Sequence, residues 1–137
     1  MMLTALGLMS GTSLDGVDVA MIETDGRRVS ALGPSGYRPY TDMERGLLRQ
    51  ALYEATDLPD RAARPGCLRE AERVVTAAHA EAVAAFTAQH RMRFDDIDIV
   101  GFRAPNDLVF VRLRTNPGVW TVPFDGGRVD LSRAALL

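Results

Sequence analysis

The chain has 137 residues, 47% of them hydrophobic and 25% charged, which is enough for one globular domain and too few for two. Its net charge of −2 gives no electrostatic reason to bind nucleic acid or an anionic membrane. The single cysteine, Cys67, excludes an internal disulfide, and we expect a partly buried structural thiol there. The N-terminus lacks a signal-peptide pattern, and no apolar run reaches the ~20 residues of a membrane span. We therefore expect a cytoplasmic protein with neither nucleic acid nor membrane as a partner.

Three segments with strand character open the chain. Leu3–Met9 is an apolar run, and Val17–Ile22 is rich in β-branched residues. An Asp-Gly pair at residues 25–26 is a strong hairpin signal, and a third strand is predicted in Arg28–Tyr40. Glycines and prolines between residues 33 and 39 predict that this strand frays into a loop. The sequence therefore predicts an antiparallel meander of three strands.

Two helices are predicted next. Thr41 and Glu44 have the spacing of a capping box at the start of the first helix. The inner stripe of that helix would be Leu47, Leu48, Ala51 and Leu58. Pro59–Gly66 is typical of a linker, and the clearest helix runs from Cys67 to about His90. Its apolar face, at spacings of three and four, comprises Leu68, Ala71, Val75, Ala78, Ala82, Ala85 and Phe86. Beside that face, His79 is expected to be a solvated or hydrogen-bonded surface residue.

One more buried strand, Ile97–Phe102, follows the second helix. The resulting order β-β-β-α-α-β is typical of an α/β fold with a mixed sheet. Strand-like pieces then occur at Leu108–Leu113 and Val119–Val122, without a convincing helix. We therefore divide the chain into a first unit, residues 1–102, and a divergent tail, residues 103–137.

The turn between the first two strands is rich in small residues. Gly11 and Gly16 permit positive φ and leave no Cβ between the backbone and a ligand. Successive backbone N–H groups, with the hydroxyls of Ser10, Thr12 and Ser13, make a concave donor site suited to phosphate oxygens. The alternative is a tight hairpin whose Asp and Ser side chains hydrogen-bond their own backbone. The sequence thus predicts either a phosphate-binding turn or a purely structural one.

Two carboxylates, Asp15 and Asp18, lie in the same segment. They would repel phosphate unless a divalent cation lay between, so they fit direct or water-mediated Mg²⁺ binding. The sequence has no Walker A and no G-x-G-x-x-G pattern, which excludes the usual helix-terminus phosphate sites. A nuclease of ribonuclease-H type would need further carboxylates to hold metal, and the candidates are Asp95, Asp96 and Asp98. We expect those three to form a solvated turn instead.

The stretch GLMSGTSLDGVDVAMIE, residues 7–23, closely resembles the N-terminal signature of anhydro-N-acetylmuramic acid kinases. The likeness extends more loosely through EAERVVTAAHAEAVAAF and DIDIVGF, so it covers roughly Leu3–Phe102. It implies a ribonuclease-H-like lobe of the actin/hexokinase/Hsp70-type ATPase fold, in which two such lobes surround an ATP cleft. The implied reaction is ATP-dependent phosphorylation of 1,6-anhydro-N-acetylmuramic acid, a sugar of cell-wall turnover, with ring opening to the 6-phosphate. For full-length members the resemblance also implies a homodimer.

By the same resemblance, one continuous segment binds ATP. Its residues are Gly11, Thr12, Ser13, Leu14, Asp15, Gly16, Val17 and Asp18. Asp15 and Asp18 are then the partners of Mg²⁺, which makes ATP and Mg²⁺ the implied cofactors.

The family pattern breaks after Phe102. The family usually continues His-Gly-Gln-Thr, residues that help form the sugar site, whereas this chain has Arg103-Ala104-Pro105-Asn106-Asp107. Codons GGC-CAA-ACG for Gly-Gln-Thr, read two bases along, encode Pro-Asn, and the next codon encodes Asp or Glu where it reads GAN. Our hypothesis is therefore a frameshift that alters the tail, which translation of the DNA in the other frames tests.

The family's general base belongs to an Asp-Thr-Gly-Pro-Gly-Asn stretch, which this sequence lacks. We therefore assign no catalytic residue to the chain and interpret it as an inactive part of the kinase. The alternative is a non-catalytic remnant that retains nucleotide affinity.

Overall fold

The computed structural model describes residues 1–60, 62–103, 108–113, 116–125, 128–129 and 135–136. The strands it describes are β1 Leu3–Met9, β2 Gly16–Thr24, β3 Val29–Pro39, β4 Ile99–Arg103, β5 Leu108–Leu113, β6 Asn116–Asp125, β7 Arg128–Val129 and β8 Ala135–Leu136. The helices are α1 Asp42–Ala55 and α2 Leu68–Gln89, and a 3₁₀ turn, Phe94–Asp96, precedes β4. The predicted α/β class is confirmed.

The strands lie in the order β3-β2-β1-β4-β5-β6-β7, with β8 paired to β6. β2 is antiparallel to both β1 and β3, which confirms the predicted meander. β4 lies parallel to β1, with Ala5 opposite Ile99 and Met9 opposite Arg103. Parallel neighbours need a long crossover, and here the chain between them forms β2, β3 and both helices. The sheet is therefore mixed, as predicted.

The third strand is longer than the sequence predicts. Instead of fraying into a loop, β3 continues through Pro34 to Pro39. It lies at the edge of the sheet, where a proline without an N–H need not break the ladder. The register with β2 also shifts, so that Gly33 and Pro34 together face Met21 as a β-bulge. The prediction was wrong because an edge position and a bulge accommodate residues that would interrupt a central strand.

The hydrophobic core lies between the sheet and the two helices. Its buried residues are Leu6, Leu8, Leu14, Val17, Val19, Tyr40, Leu48, Ala51, Ala71, Ala78, Ala82, Val83, Phe86 and Ile97. Alternate residues of β1 and β2 point into it, as the period of two requires. The three-and-four spacing along α2 correctly predicts its buried face, including Phe86, which is 2% exposed. The exception is Ala85, which is exposed.

The first helix begins as predicted. The Glu44 N–H donates to the Thr41 hydroxyl at 3.2 Å, and the Thr41 N–H donates to the Glu44 carboxylate at 2.9 Å, which completes the capping box. Leu58 was expected in the inner stripe of this helix. It is half-buried but lies three residues beyond the last helical residue, Ala55, so that part of the prediction was wrong.

The environment of His79 also differs from the expectation. The side chain is hydrogen-bonded, as expected, with Nδ1 2.7 Å from the Val75 carbonyl oxygen. However, it is only 6% exposed, because its position on α2 turns it towards the core rather than towards solvent. This burial lowers the pKa of His79.

Arg38 connects β3 to both helices. Its guanidinium donates to the two carboxylate oxygens of Glu44 in α1 at 2.7 and 2.8 Å, and to Glu81 in α2 at 2.6 and 3.0 Å. The Arg38 and Glu44 side chains are only 18% and 22% exposed, so solvent screens this pair less than it screens a surface pair. The hydrogen bonds from Arg38 lower the pKa of Glu44 from 4.5 to about 2.

Replacing Glu44 with Gln should lower stability at neutral pH and flatten its pH dependence. Because the folded-state pKa is depressed, the charged pair stabilises the fold above pH ~4.5 and loses this contribution as the pH falls towards 2. The contribution is at most about 3 kcal/mol, since one pKa unit corresponds to ~1.4 kcal/mol. Gln retains a capping-box side chain, so the substitution mainly removes the charge. Urea unfolding at neutral and acidic pH measures the effect.

Asp42→Asn is the matched control in the same helical turn. Its side chain is fully exposed, and its carboxylate lies 3.7 Å from Arg45, so its removal should change stability by less than ~0.5 kcal/mol. If the wild-type and Glu44→Gln chains lost equal stability on acidification, the interpretation of the Arg38–Glu44 pair would be wrong.

The chain after α2 returns to the sheet. β4 begins at Ile99, two residues later than predicted, and crosses the expected boundary at residue 102. The strands expected at Leu108–Leu113 and Val119–Val122 are present as β5 and as part of β6, each antiparallel to its neighbour. Residues 104–107, where the sequence departs from the family pattern, lie outside the described residues. Within the described ranges, neither α-helix combines the length and apolarity needed to cross a membrane.

Candidate functional site

The turn between β1 and β2 comprises residues 10–15. Near its two ends the side chains are buried, with Ser10 5% and Leu14 6% exposed, whereas residues 12–13 are exposed. The Leu14 N–H donates to the Gly11 carbonyl oxygen at 3.2 Å and closes the turn. The segment is therefore anchored near both ends and open to solvent in the middle.

The left-handed residue of this turn is Leu14, with φ of 56°. Gly11 and Gly16 could have adopted positive φ but do not, and the described glycines with positive φ are Gly26 and Gly66. A left-handed conformation costs a residue with a Cβ roughly 1–2 kcal/mol. Burying a leucine side chain contributes about 1.5–3 kcal/mol, so the core holds Leu14 in this conformation.

Gly16 is needed for the close approach of two strands. It is buried and pairs with Pro39 in the β2–β3 ladder. A Cβ on Gly16 would collide with the Arg38 carbonyl oxygen, and would lie 2.7 Å from a ring carbon of Tyr37 and 2.8 Å from the Pro39 Cα. The absence of a side chain here therefore serves the sheet, and the space it leaves is filled by β3.

Ser10 turns its hydroxyl into the protein. Its Oγ lies 2.9 Å from the hydroxyl of Tyr40, which is 2% exposed. This hydroxyl was expected among the phosphate donors, but its burial and its partner give it a structural role. Tyr40 was missed altogether, because a contact between residues 30 positions apart leaves no local pattern in the sequence.

The open middle of the turn carries the available donors. Thr12 and Ser13 are exposed. Among the hydrogen bonds of the described part of the chain, none involves their hydroxyls or backbone N–H groups. Two adjacent hydroxyls and two adjacent backbone N–H groups are donors of the kind that bind phosphate oxygens.

The two carboxylates of the segment are both exposed. Asp15 ends the turn, and Asp18 lies in β2 between Val17 and Val19, whose side chains are 0% and 1% exposed. Asp18 therefore points to the sheet face opposite the helices. Across the residues that the structure describes, no three His, Cys, Asp or Glu side chains are grouped to hold a metal. Two carboxylates fit Mg²⁺, which keeps several waters and takes phosphate oxygens as further ligands.

The acidic residues before β4 lie at the other end of the sheet. Asp95–Asp96 are exposed, as expected of a solvated turn. Asp98 accepts a hydrogen bond from the Thr4 N–H at 2.9 Å, near the start of β1. Asp18 pairs with Met9, at the other end of β1. Met9 lies five residues beyond Thr4, a distance of about 16 Å along the strand. These carboxylates cannot share a metal with Asp18, so the geometry removes the support for a nuclease.

The eight residues expected to bind ATP thus fall into two groups. Those that are exposed or half-buried, and can reach a ligand, are Gly11, Thr12, Ser13, Asp15 and Asp18. The buried residues, which pack against the rest of the protein, are Leu14, Gly16 and Val17.

Comparison with known proteins places the chain in a family. A family model described as anhydro-N-acetylmuramic acid kinase matches residues 3–105. The chain belongs to the anhydro-N-acetylmuramic acid kinase family. The kinase of this name from Bradyrhizobium diazoefficiens is 78% identical over 108 residues, which cover 79% of this chain and 29% of that protein. The one from Rhodopseudomonas palustris strain HaA2 is 76% identical with the same coverage. The one from Methylobacterium nodulans is 53% identical over 136 residues, covering 92% of this chain and 35% of that protein.

The chain spans 29% of the length of the first two kinases and 35% of the third. The range matched by the family model includes the β1–β2 turn, both helices and β4. The family has the actin/hexokinase/Hsp70-type ATPase fold, as the resemblance implied. The mixed sheet of β1–β4 with α1 and α2 is the part of that fold that carries the turn.

Proposed function

We propose that this chain is part of a kinase that uses ATP and Mg²⁺ to phosphorylate 1,6-anhydro-N-acetylmuramic acid, with ring opening to N-acetylmuramic acid 6-phosphate. Membership of a family named for this sugar supports the substrate. On this proposal the partner is a small-molecule sugar of cell-wall recycling, the reaction takes place in the cytoplasm, and the whole protein is a homodimer.

The observation that carries the nucleotide part of the proposal is the open middle of the β1–β2 turn. Thr12 and Ser13 present hydroxyls and N–H groups to solvent, while Leu14 and Gly16 fix the backbone on one side of them. Donors held in place in this way suit phosphate oxygens, because the backbone need not rearrange when the ligand binds.

Asp15 and Asp18 are the residues that would hold Mg²⁺ beside these donors. The ion, when bound, offsets the negative charge of the ATP phosphates. The two carboxylates would bind it directly or through water, and both are exposed at the same end of β2. Their attraction to the ion replaces the repulsion that they would otherwise exert on phosphate.

Phosphoryl transfer further requires a sugar site and a general base aligned with the nucleotide. This sequence has no Asp-Thr-Gly-Pro-Gly-Asn stretch to supply the base. We therefore assign nucleotide binding to this chain and turnover to the longer protein. A nucleotide-binding remnant is the second candidate. It shares the same turn and differs in having no acceptor sugar, so a sugar-dependent assay of a longer protein that contains this chain distinguishes the two.

Asp15→Asn should weaken the binding of ATP only when Mg²⁺ is present. When the isotopically labelled chain is titrated with MgATP, the amide NMR signals of residues 11–15 should shift. The dissociation constant should lie in the millimolar range, because a few N–H contacts and one metal bridge contribute only about 4 kcal/mol of binding free energy. The variant should bind MgATP about tenfold more weakly, since it loses a charged metal ligand. It should bind ATP without Mg²⁺ at least as tightly as the wild type does, because one carboxylate that repels phosphate is gone.

Asp25→Asn is the matched control at the opposite end of β2. Asp25 is exposed, and its carboxylate accepts the N–H groups of Arg27 and Arg28, which an Asn oxygen can also accept. Its titration with MgATP should match the wild type. If Asp15→Asn kept the full Mg²⁺ dependence, the turn would be structural only and the proposed nucleotide site would be wrong.

A further inference from the structure

Tyr40 is bonded to both ends of the β1–β2 turn. Its hydroxyl lies 2.9 Å from the Ser10 Oγ at the start, and its backbone N–H donates to the Asp15 carbonyl oxygen at the end, also at 2.9 Å. Tyr40 is 2% and Ser10 5% exposed, so water does not compete for the hydroxyl pair. A single residue therefore closes the loop that presents Thr12 and Ser13.

Tyr40 is in turn fixed by the helix layer. The next residue, Thr41, is the N-cap of α1, and Arg45 of that helix donates to the Tyr40 carbonyl oxygen at 3.3 Å. The Arg38 guanidinium lies 5.7 Å from the centre of the Tyr40 ring. Burial raises the pKa of the Tyr40 hydroxyl, which keeps it protonated and able to donate to or accept from Ser10. Through Tyr40, the position of the turn is thus fixed by contacts with α1 as well as by its own strands.

We propose that Tyr40 is a positioning residue, whose hydroxyl bond to Ser10 and backbone bond to Asp15 hold the Thr12 and Ser13 donors in the arrangement that binds phosphate. The inference rests on the proposed nucleotide function of the turn. Its physical basis is preorganisation, because a loop pinned at both ends loses less conformational freedom when a ligand binds. Removing the hydroxyl frees one end and leaves the buried Ser10 hydroxyl without its partner.

The test uses Tyr40→Phe in the complete 137-residue chain and two readouts. The first is amide hydrogen exchange without nucleotide at residues 14 and 40, whose N–H groups bond to Gly11 and Asp15. Exchange at both should become about tenfold faster, while the amide of Ala82 in α2 keeps its wild-type rate, because the opening is local. The second is NMR titration with MgATP, in which the dissociation constant should rise by a similar factor.

Two further variants isolate the hydroxyl pair. In the double variant Ser10→Ala, Tyr40→Phe, the amide of residue 14 should exchange no faster than in Tyr40→Phe alone, because the two changes remove the same interaction. Tyr53→Phe is the matched control, since its side chain is 78% exposed on α1 and makes no contact with the turn among the described hydrogen bonds. It should leave both readouts unchanged.

Each outcome decides the inference. Unchanged exchange at residues 14 and 40 in Tyr40→Phe would overturn it, as would equal acceleration at Ala82, which would indicate a general loss of stability. Faster local exchange with unchanged MgATP affinity would also overturn the positioning role. If the wild-type chain itself showed no response to MgATP, the proposed function would fail, while the exchange data would still report whether Tyr40 holds the turn.

Discussion

Gly16→Ala is expected to destabilise the fold by about 3 kcal/mol or more. The added Cβ would meet backbone atoms of Arg38 and Pro39, which cannot rotate away as a side chain can. To relieve this collision, β2 and β3 would have to separate beside the hydrophobic core, where Val17 is 0% exposed. Inserting one methyl group into a well-packed interior typically costs 1–3 kcal/mol, and rigid neighbours put this site at the upper end. For a chain of this size the melting temperature should fall by roughly 10 °C.

Gly7→Ala in the neighbouring strand is the matched control. Gly7 is exposed, and the nearest atom to a Cβ there, the Ala20 carbonyl oxygen, would be 3.9 Å away, which is an ordinary contact. Alanine should be neutral or slightly stabilising at this position, because it restricts the unfolded chain. Thermal unfolding followed by circular dichroism compares the two variants. Equal melting temperatures would show that the β2–β3 approach is looser than the geometry indicates.

The parts of the fold that could be predicted from the sequence are those with a local physical cause. The spacing of apolar residues gives α2 nearly to the residue, since a helix buries one face whatever it packs against. The Thr41–Glu44 pair correctly predicts the start of α1, because a capping box is complete within four residues. The turn between the first two strands was also located correctly.

The parts that could not be predicted depend on contacts between distant residues. Pro34 fits β3 only because that strand lies at the edge of the sheet, and edge position is a property of the whole topology. The positive φ of Leu14 is tolerated because the core buries its side chain. Ser10 was assigned to the ligand because its partner, Tyr40, lies 30 residues away. Local chemistry thus identified the segment, and tertiary packing decided which of its groups face solvent.

The isolated 137-residue chain is expected to show no detectable phosphorylation of 1,6-anhydro-N-acetylmuramic acid. It spans 29% of the length of the Bradyrhizobium diazoefficiens kinase and contains the turn but not the Asp-Thr-Gly-Pro-Gly-Asn stretch. General-base catalysis alone contributes ~10²–10⁴-fold to a rate. Orientation of two bound substrates can contribute a larger factor, and a turn at one end of two strands cannot align a sugar with the γ-phosphate of ATP. These factors multiply, so a correctly folded chain should remain at the background rate.

A coupled assay of ADP release that depends on the anhydro sugar measures this directly. The Bradyrhizobium diazoefficiens kinase, 78% identical over the shared region, serves as the positive control under the same conditions. A mixture of that kinase with an excess of this chain checks that the preparation contains no inhibitor. Clear sugar-dependent turnover by the chain alone would contradict the prediction. It would mean that the residues of the 103–137 tail build an acceptor site and that the reaction does not depend on the missing base.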